Sequence, residues 1–334
     1  MSVIAVATSP EVRELFFDAD AWAALGRLGE VRLPADGADV GAEATLARLL
    51  TDADVVVTGW GTAPLSAAVL AAAPRLRLLA HTGASVKPFV TPASFARGVR
   101  VTQAGEAMAY AVGEQALALT LALLHQLHRF DHALRTGVDW ATAKAAPPRR
   151  ELRGAAVGVV GASRTGRAYL GLVRALGARV LVADPYLSDG DAATLGVERV
   201  TLDDLLARSL VVSLHAPVLP ETVGMIGARE LALMPDGALL VNTARSALVD
   251  EAALLAVLRS GRIDAALDVF DAEPLPVDHP FRRLPNVLLT PHEAAGTVGS
   301  RRRAADIVVA EIDRFLRGEQ LRHEVRPEHL DRTG

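Results

Sequence analysis

The chain has 334 residues, and its size and composition exclude several classes of protein. A single hydrophobic core stops growing near about 250–300 residues, so this length predicts two domains with a cleft between them. The chain contains no cysteine, which rules out disulfides, thiolate metal sites and a cysteine nucleophile, and we expect no metal site. A formal net charge of −4 argues against a nucleic-acid partner, and we interpret the basic run at 301–303 as an exposed helix face.

The sequence also predicts where the protein resides. We find no apolar run that reaches the roughly 20 residues needed to cross a bilayer. The first residues, Met1–Val6, lack the basic and long apolar regions of a signal peptide and are typical of a core strand. We therefore expect a soluble, cytoplasmic protein with no membrane partner.

The first hundred residues alternate β-branched runs with amphipathic stretches rich in alanine and leucine. This βαβ rhythm predicts a parallel sheet with helices on its faces. The predicted strands are 3–7, 54–58 and 76–80, and the predicted helices are 11–28 and 65–73. A long apolar stretch at 106–130 then predicts a buried helix that links the domains, and 136–150 predicts an exposed loop.

A second and stronger βαβ series begins at Ala155. Its length predicts a complete doubly wound sheet of six strands. The predicted strands are 155–160, 179–183, 210–214, 238–242, 263–267 and 286–290. The helical segment at 297–318 is then expected to return to the first domain.

A tight turn follows the first strand of this second series. Gly161 and Gly166 occupy two positions of the G-x-G-x-x-G dinucleotide fingerprint, but Ser163 replaces the middle glycine and would crowd a pyrophosphate. The strand, turn and helix aim backbone N–H groups at a phosphate, so Ser163, Arg164 and Thr165 are candidate contacts. Arg164 could neutralise pyrophosphate charge.

The next strand ends in Asp184, where a dinucleotide fold places the acid that binds the adenosine ribose. A carboxylate there repels a 2′-phosphate. The sequence therefore predicts NAD (NADH) as the cofactor and makes NADP less favourable.

Three segments near the ends of later strands carry residues suited to 2-oxo acid reduction: the runs around Arg245, Glu273 and His292. Arg245 offers a permanently charged fork for a carboxylate. His292 can donate a proton to a carbonyl oxygen while NADH delivers hydride to the same carbon. Glu273, bonded to the other ring nitrogen, would favour the charged imidazole.

Together these segments resemble the D-isomer-specific 2-hydroxyacid dehydrogenases, and the resemblance extends over nearly the whole chain. The family's arginine after N-x-[SA], its glutamate in D-V-F-x-x-E-P and its histidine in T-P-H are all intact. The resemblance implies an α/β fold of two Rossmann-like, doubly wound domains. They are a flavodoxin-like substrate domain, 1–105 with 297–334, and an NAD-binding Rossmann domain, 106–296.

The resemblance also implies roles for several further residues. His215, Ala216, Pro217 and Thr222 would lie in the loop beside the dinucleotide. Asp268, with the backbone of Thr243 and Ala244, would hold the nicotinamide carboxamide. A homodimer is implied as well, formed through the helices around 106–150.

The substrate loop departs from the family pattern. The family binds the substrate carboxylate with a glycine-rich loop followed by an acidic residue, and here that loop contains Gly83, Ala84 and Ser85 with Lys87 at the acidic position. Lys87 would suit a substrate with a second anionic group, although an exposed lysine is an equal alternative. Trp60 either lines the same pocket or packs in the core.

Two other functions remain open. Phosphite oxidation would use the same three residues, whereas formate enzymes pair the histidine with glutamine, which Glu273 argues against. A non-catalytic, NAD-sensing protein similar to the corepressors of this fold is the alternative from a different class. Turnover of a 2-oxo acid with NADH separates these alternatives.

Overall fold

The computed structural model describes residues 1–145 and 147–332. The chain divides into two compact units. Unit 1 contains Met1–Met108 and the chain from Gly296 onward, and unit 2 contains Ala109–Ala295.

Unit 1 is built on a five-stranded parallel sheet with the order β2-β1-β3-β4-β5. This is the flavodoxin-like order, and it confirms that type of fold for the first series of elements. The strands are β1 (Val3–Ala7), β2 (Glu30–Arg32), β3 (Val55–Thr58), β4 (Leu78–His81) and β5 (Arg100–Gln103). The strands β1, β3 and β4 are completely buried, as expected for a parallel sheet covered by helices on both faces.

Short helices cover this sheet. They are α1 (Pro10–Phe16), α2 (Ala19–Leu28), α3 (Glu43–Leu49), α4 (Ala67–Ala72) and α5 (Pro92–Ala96). The long helix α14 (Val298–Leu316) packs against α1, α2 and β4, so the end of the chain returns to unit 1 as expected.

The structure corrects the predicted helix 11–28, which is two helices. Asp18 caps the second one by accepting a hydrogen bond from the backbone N–H of Ala21. The strands β2 and β5 and the helices α3 and α5 were not predicted. They are short, three to seven residues each, and periodicity carries little signal over such lengths.

Unit 2 contains a seven-stranded parallel sheet with the order β12-β11-β10-β9-β6-β7-β8. Counted from β6, this is the doubly wound dinucleotide-binding order with one strand added at an edge. The strands are β6 (Ala156–Val160), β7 (Arg179–Ala183), β8 (Glu198–Arg199), β9 (Val211–Leu214), β10 (Leu239–Asn242), β11 (Asp264–Leu267) and β12 (Val287–Leu289). Six of them match predicted strands, and the two-residue β8 was missed because it is too short to show periodicity.

The helices of unit 2 begin with α6 (Gly105–Leu124), which starts in unit 1. The others are α7 (Leu127–Arg135), α8 (Trp140–Lys144), α9 (Arg164–Ala175), α10 (Asp189–Leu195), α11 (Leu202–Arg208), α12 (Ala228–Leu233) and α13 (Glu251–Arg259). Gln126 separates α6 from α7 with a left-handed φ of 56°, so the predicted single helix 106–130 is broken there.

By length and composition, α6 would pass as a membrane-spanning helix, which corrects the expectation that no apolar run is long enough. Its most apolar stretch is 61% buried inside the structure, which is also typical of a core helix in a soluble protein.

Candidate active site

All the candidate residues of unit 2 follow the carboxyl ends of its strands. Since the strands are parallel, these ends lie at one edge of the sheet. The order of the sheet reverses between β6 and β9, and the predicted phosphate turn and the loop at His215 follow these two strands. Dinucleotides bind at such a reversal point in this class of fold.

The phosphate turn is packed tightly against the loop after β9. Gly161 has a left-handed φ of 93°, and a Cβ built on it would lie 2.8 Å from the Cα of Ala216. A Cβ on Gly166 would lie 2.1 Å from the carbonyl oxygen of Gly161. Only glycine is compatible with this geometry at either position, which explains two of the three fingerprint residues.

Ser163 stands at the position of the middle glycine of the fingerprint and is the N-cap of α9. Its hydroxyl accepts a hydrogen bond from the N–H of Gly166 (3.3 Å) and donates one to the carbonyl of His215 (2.8 Å). The hydroxyl also lies 3.1 Å from that of Thr165. The serine therefore stabilises the turn and fastens it to the neighbouring loop, while Arg164 is exposed at the first helical position.

Asp184 follows β7 beside the same turn. Its carboxylate accepts hydrogen bonds from the N–H groups of Ala162 (2.6 Å) and Tyr186 (2.8 Å). The acid is therefore held at the edge where a ribose is bound in dinucleotide folds.

The loop after β9 is fixed by internal hydrogen bonds. The hydroxyl of Thr222 donates to the carbonyl of Pro217 (2.7 Å) and accepts from the N–H of Leu219 (2.7 Å). His215 is buried, lies 2.8 Å from the hydroxyl of Ser213 through Nε2, and packs on the ring of Tyr169. Burial lowers the pKa of His215 to about 3, so this imidazole is neutral and unsuited to acid–base work near neutral pH.

The site contains features that fit a dinucleotide. The hydroxyl of Thr243 and Nδ1 of His215 are buried polar atoms that have no hydrogen-bond partner among the residues that the structure describes. Buried polar atoms are nearly always paired, so both suit contact with a bound group. The glycine turn and the start of the twelve-residue helix α9 supply the close backbone approach that a diphosphate needs.

Asp268 is completely buried at the end of β11, and its carboxylate is directed at the loop that carries His292. It accepts hydrogen bonds from the hydroxyl of Thr290 (2.5 Å) and from the N–H groups of Glu293 (3.1 Å) and Ala294 (3.0 Å). These bonds hold the His292 loop in place, and the contact with the nicotinamide carboxamide that the family resemblance implies stays a prediction.

His292 and Glu273 form a direct pair. Nδ1 of His292 donates to Oε2 of Glu273 at 2.7 Å, and the backbone N–H of Phe270 donates to the other carboxylate oxygen at 3.0 Å. His292 has a left-handed φ of 55°, a conformation that non-glycine residues rarely adopt outside functional or tightly held positions. Both side chains are partly exposed, at 44% and 36%, so the pair is accessible to a small molecule.

The electrostatics keep Glu273 ionised. Partial burial by itself raises the pKa of this carboxyl, but the hydrogen bonds from His292 and Phe270 and the charges of His292 and Arg245 outweigh it. The pKa of Glu273 therefore lies below its ordinary value, and the group is a carboxylate at neutral pH.

Arg245 follows β10 in a loop that Asn242 shapes. The side chain of Asn242 accepts from the N–H of Ala244 (3.0 Å) and donates to the carbonyl of Arg245 (2.9 Å). Burial lowers the pKa of Arg245, and the charge of Glu273 opposes that shift. An arginine remains charged in proteins, so the site holds a partly desolvated cation. Sequence reasoning missed Asn242, although its place in the N-x-[SA]-R motif was a usable signal.

The remaining candidates belong to unit 1 and follow β3 and β4, which are neighbours in its sheet. Trp60 is 51% exposed and contacts Phe16 at a ring separation of 5.4 Å, so it is not a buried core indole. Ala84 and Ser85 are half-buried and Lys87 is exposed. A Cβ on Gly83 would lie 2.6 Å from Nε2 of His81, so this loop packs closely on that histidine.

Comparison with known proteins shows the family of the chain. The family model described as "D-isomer specific 2-hydroxyacid dehydrogenase, NAD binding domain" matches residues 117–294. The chain therefore belongs to the D-isomer-specific 2-hydroxyacid dehydrogenase family.

Individual relatives support this assignment. The chain is 39% identical over 298 residues to D-3-phosphoglycerate dehydrogenase of Mycobacterium leprae, an alignment that covers 89% of this chain and 55% of that protein. It is 36% identical over 261 residues to glyoxylate reductase of Korarchaeum cryptofilum, covering 77% and 78%. The chain thus spans about half the length of the D-3-phosphoglycerate dehydrogenases that it matches.

The two-unit architecture is also found in a solved structure. The structure of D-2-hydroxyisocaproate dehydrogenase aligns with a TM-score of 0.84 at 25% sequence identity, covering 97% of this chain and 99% of that one.

Proposed function

We propose that this protein is an NAD-dependent oxidoreductase that interconverts a small 2-oxo acid and its D-2-hydroxy acid. The observation that carries the proposal is the 2.7 Å contact between His292 Nδ1 and Glu273 Oε2, with the charge of Arg245 acting on the same carboxylate. An acid–base group, its carboxylate partner and a fixed cation within one NAD-binding unit are the set that this reaction requires.

His292 is the proton donor and acceptor. Its Nδ1 is committed to Glu273, so Nε2 is the nitrogen that faces the reacting oxygen. During reduction Nε2–H protonates the carbonyl oxygen, and during oxidation Nε2 accepts the hydroxyl proton. The Glu273 carboxylate stabilises the imidazolium in both directions and fixes the orientation of the ring.

Arg245 binds the substrate carboxylate and polarises its carbonyl. Its partial burial strengthens these interactions, since charges attract more strongly where water is excluded. The loop at Gly83, Ala84 and Ser85 is proposed to bind substrate through its backbone N–H groups, which makes unit 1 the substrate domain.

The bound nicotinamide cofactor supplies hydride in reduction and accepts it in oxidation. The turn from Gly161 to Gly166 would hold the diphosphate, and the polar atoms of Thr243 and His215 that lack a partner among the described residues would contact the cofactor. Asp184 binds the adenosine ribose, and its carboxylate repels a 2′-phosphate, so we propose NAD rather than NADP.

The relatives suggest which substrates to test first. One is named for D-3-phosphoglycerate, which carries a second anionic group, and the other for glyoxylate, which does not. The exposed ammonium of Lys87 favours the substrate with the second anion.

The experiment that tests the function measures NADH absorbance with purified protein. NAD with D-3-phosphoglycerate and NADH with glyoxylate or other 2-oxo acids are compared, alongside NAD with phosphite. Turnover of a 2-oxo or 2-hydroxy acid that disappears in His292→Ala supports the proposal. NADH binding without turnover of any such acid would contradict it and favour a sensor, and turnover with phosphite alone would favour phosphite oxidation.

We further propose a soluble, cytoplasmic homodimer. The helices α7 and α8 and the segment between them expose several apolar side chains, namely Leu127, Leu134, Val138 and Trp140, at 37% to 72%. An exposed apolar cluster of this kind is typical of an interface. Sedimentation analysis should give a dimer for the wild-type chain and a monomer for the double variant Leu134→Ser, Trp140→Ser. A monomeric wild-type protein would contradict this assembly.

A further inference from the structure

Unit 2 contains a cavity at the edge of the sheet opposite to the candidate active site. Leu239 and Asp264, the first residues of β10 and β11, form part of its wall. Residues around Gln126, the segment 147–150 without residue 149, and the turn 260–262 also line it. Its volume is about 430 Å³, within the range of roughly 300–1,000 Å³ that is usual for small-molecule sites.

Two residues that line this cavity each have one buried polar atom without a hydrogen-bond partner in the described part of the chain. Gln126 is only 5% exposed, and its side-chain N–H₂ donates to the carbonyl of Leu123 (3.0 Å) and to Asp264 (3.1 Å). Among residues 1–145 and 147–332, neither its Oε1 nor Nε of Arg129 has a partner. Buried polar atoms are nearly always paired, so Gln126 and Arg129 bring one unmet acceptor and one unmet cationic donor to the lining of the cavity.

The charges of the lining residues favour an anion. Three arginines and two aspartates line the cavity, namely Arg129, Arg150, Arg262, Asp236 and Asp264. Arg129 pairs with Asp264 at 2.8 Å and Arg262 with Asp236 at 3.7 Å. Within the described part of the chain, Arg150 has no carboxylate partner, and its guanidinium makes only a long bond of 3.5 Å to the carbonyl of Gly237. One positive charge is therefore left uncompensated.

We propose that this cavity binds inorganic phosphate, which carries an O–H at neutral pH. The anion pairs with Arg150 and accepts from Nε of Arg129, and its O–H donates to Oε1 of Gln126. A guanidinium fork suits phosphate oxygens, and the neutral acceptor selects an anion that still holds a proton. The site uses none of the residues of the proposed dehydrogenase reaction and does not depend on that function.

The comparison of two similar anions tests the role of Gln126. Inorganic phosphate keeps an O–H at neutral pH and sulfate does not. Isothermal titration calorimetry is carried out on the NADH-saturated protein, so that the proposed diphosphate site is filled. We expect phosphate to bind about fivefold more tightly than sulfate, because one hydrogen bond contributes roughly 1 kcal/mol. In Gln126→Met the preference should disappear.

Arg150→Met tests the charge. We expect it to weaken phosphate binding about tenfold, and its fold should persist because the side chain is exposed and makes one long hydrogen bond. Arg149→Met is the matched control, since Arg149 is an adjacent exposed arginine that does not line the cavity. The same two variants are also titrated with phosphate in the absence of NADH. If the protein fails to bind NADH, that result contradicts the proposed function, but the phosphate site can still be tested.

Three results would overturn the site. They are equal binding of phosphate and sulfate by the wild-type protein, equal loss in the Arg150 and Arg149 variants, and no phosphate binding at all. If phosphate does not bind and Arg150→Met instead changes the sedimentation of the protein, the cavity is a polar seam between two copies of the chain and the proposal is wrong.

Discussion

The two parallel sheets have related architectures, but the histidines at their carboxyl edges lie in opposite environments, one buried and one exposed. In unit 1 the histidine at this edge, His81, is buried against Phe89 and bonded to the hydroxyl of Thr58 at 3.0 Å. Burial lowers its pKa to about 4, so it is neutral near pH 7. In unit 2 His292 is 44% exposed and bonded to a carboxylate. Of these two histidines, His292 is the one that is accessible for a proton exchange with a bound molecule.

This contrast shows that the sheet determines where each histidine lies, whereas the contacts of the surrounding residues determine its exposure and its hydrogen-bond partner. His81 is the last residue of β4 and is fixed by the strand itself. His292 lies outside any strand. Its loop donates three hydrogen bonds to the buried carboxylate of Asp268, which restrain the loop. The reactive group can thus remain accessible while its backbone is restrained.

The largest expected effect comes from removing the imidazole of unit 2. General acid–base groups contribute about 10²- to 10⁴-fold, so His292→Ala should lower kcat by that factor. The dissociation constant for NADH, measured by fluorescence titration, should change less than about threefold, because the cofactor residues lie on other loops.

The exposed His132 provides the matched control for this substitution. His132→Ala should retain full kcat. A His292→Ala protein that turns over at the wild-type rate would mean that the proton comes from another group.

The next effect in size comes from Arg245. Arg245→Ala removes a charged donor that should bind both the ground state and the transition state, so kcat/KM should fall roughly 10- to 100-fold, with KM rising. Arg245→Lys should recover only part of this loss, since an ammonium cannot reproduce the fork. Steady-state kinetics on the 2-oxo acid that is turned over make the comparison, and unchanged kcat/KM in Arg245→Ala would contradict its role.

Much of this architecture could be predicted from sequence. Strands such as β1 and β7 are short apolar runs rich in valine, and the predicted bounds coincide with the observed ones. The candidate residues of unit 2 were expected at strand ends, which is where the structure has them. The strands β2 and β8 were not predicted, because two or three residues cannot display a period.

The direction of individual side chains was not predictable. The N–H groups of residues 293 and 294 donate to Asp268, and no sequence pattern predicts these bonds because they depend on how the loop closes. Ser163 was expected to crowd a phosphate, and its capping bond to Gly166 appears only when the helix start is fixed. The break at Gln126 has no glycine or proline to mark it.

A smaller effect, and one that depends on pH, comes from Glu273. Its lowered pKa means that the carboxylate is present throughout the neutral range and is lost only when acid reaches that lowered value. Glu273→Gln keeps the shape but removes the charge that stabilises the imidazolium. The rate of 2-oxo acid reduction should therefore begin to fall at a lower pH than in the wild-type protein, with roughly a tenfold loss near pH 8.

The full pH profile of kcat for reduction checks this prediction. Glu293→Gln is the control, because Glu293 is adjacent in sequence to His292 but the carboxylate bonded to the ring belongs to Glu273. A profile that shifts equally in both variants would show that the general field of the loop, and not the bonded pair, controls the proton.

The smallest effect is expected at the edge of unit 1, where Lys87 carries a charge and has no proposed acid–base role. Lys87 is exposed, so an ion pair with a second anionic group of the substrate should contribute about 0.5–1 kcal/mol. Lys87→Met should raise KM for D-3-phosphoglycerate about two- to fivefold and leave kcat and the KM for glyoxylate unchanged.

The other lysine of the chain, Lys144, is also exposed, and Lys144→Met serves as the control. Added salt should reduce the difference between Lys87→Met and wild type, since screening weakens an exposed pair. Equal changes in KM for both substrates would instead mean that Lys87 acts on the shape of its loop and does not select the substrate.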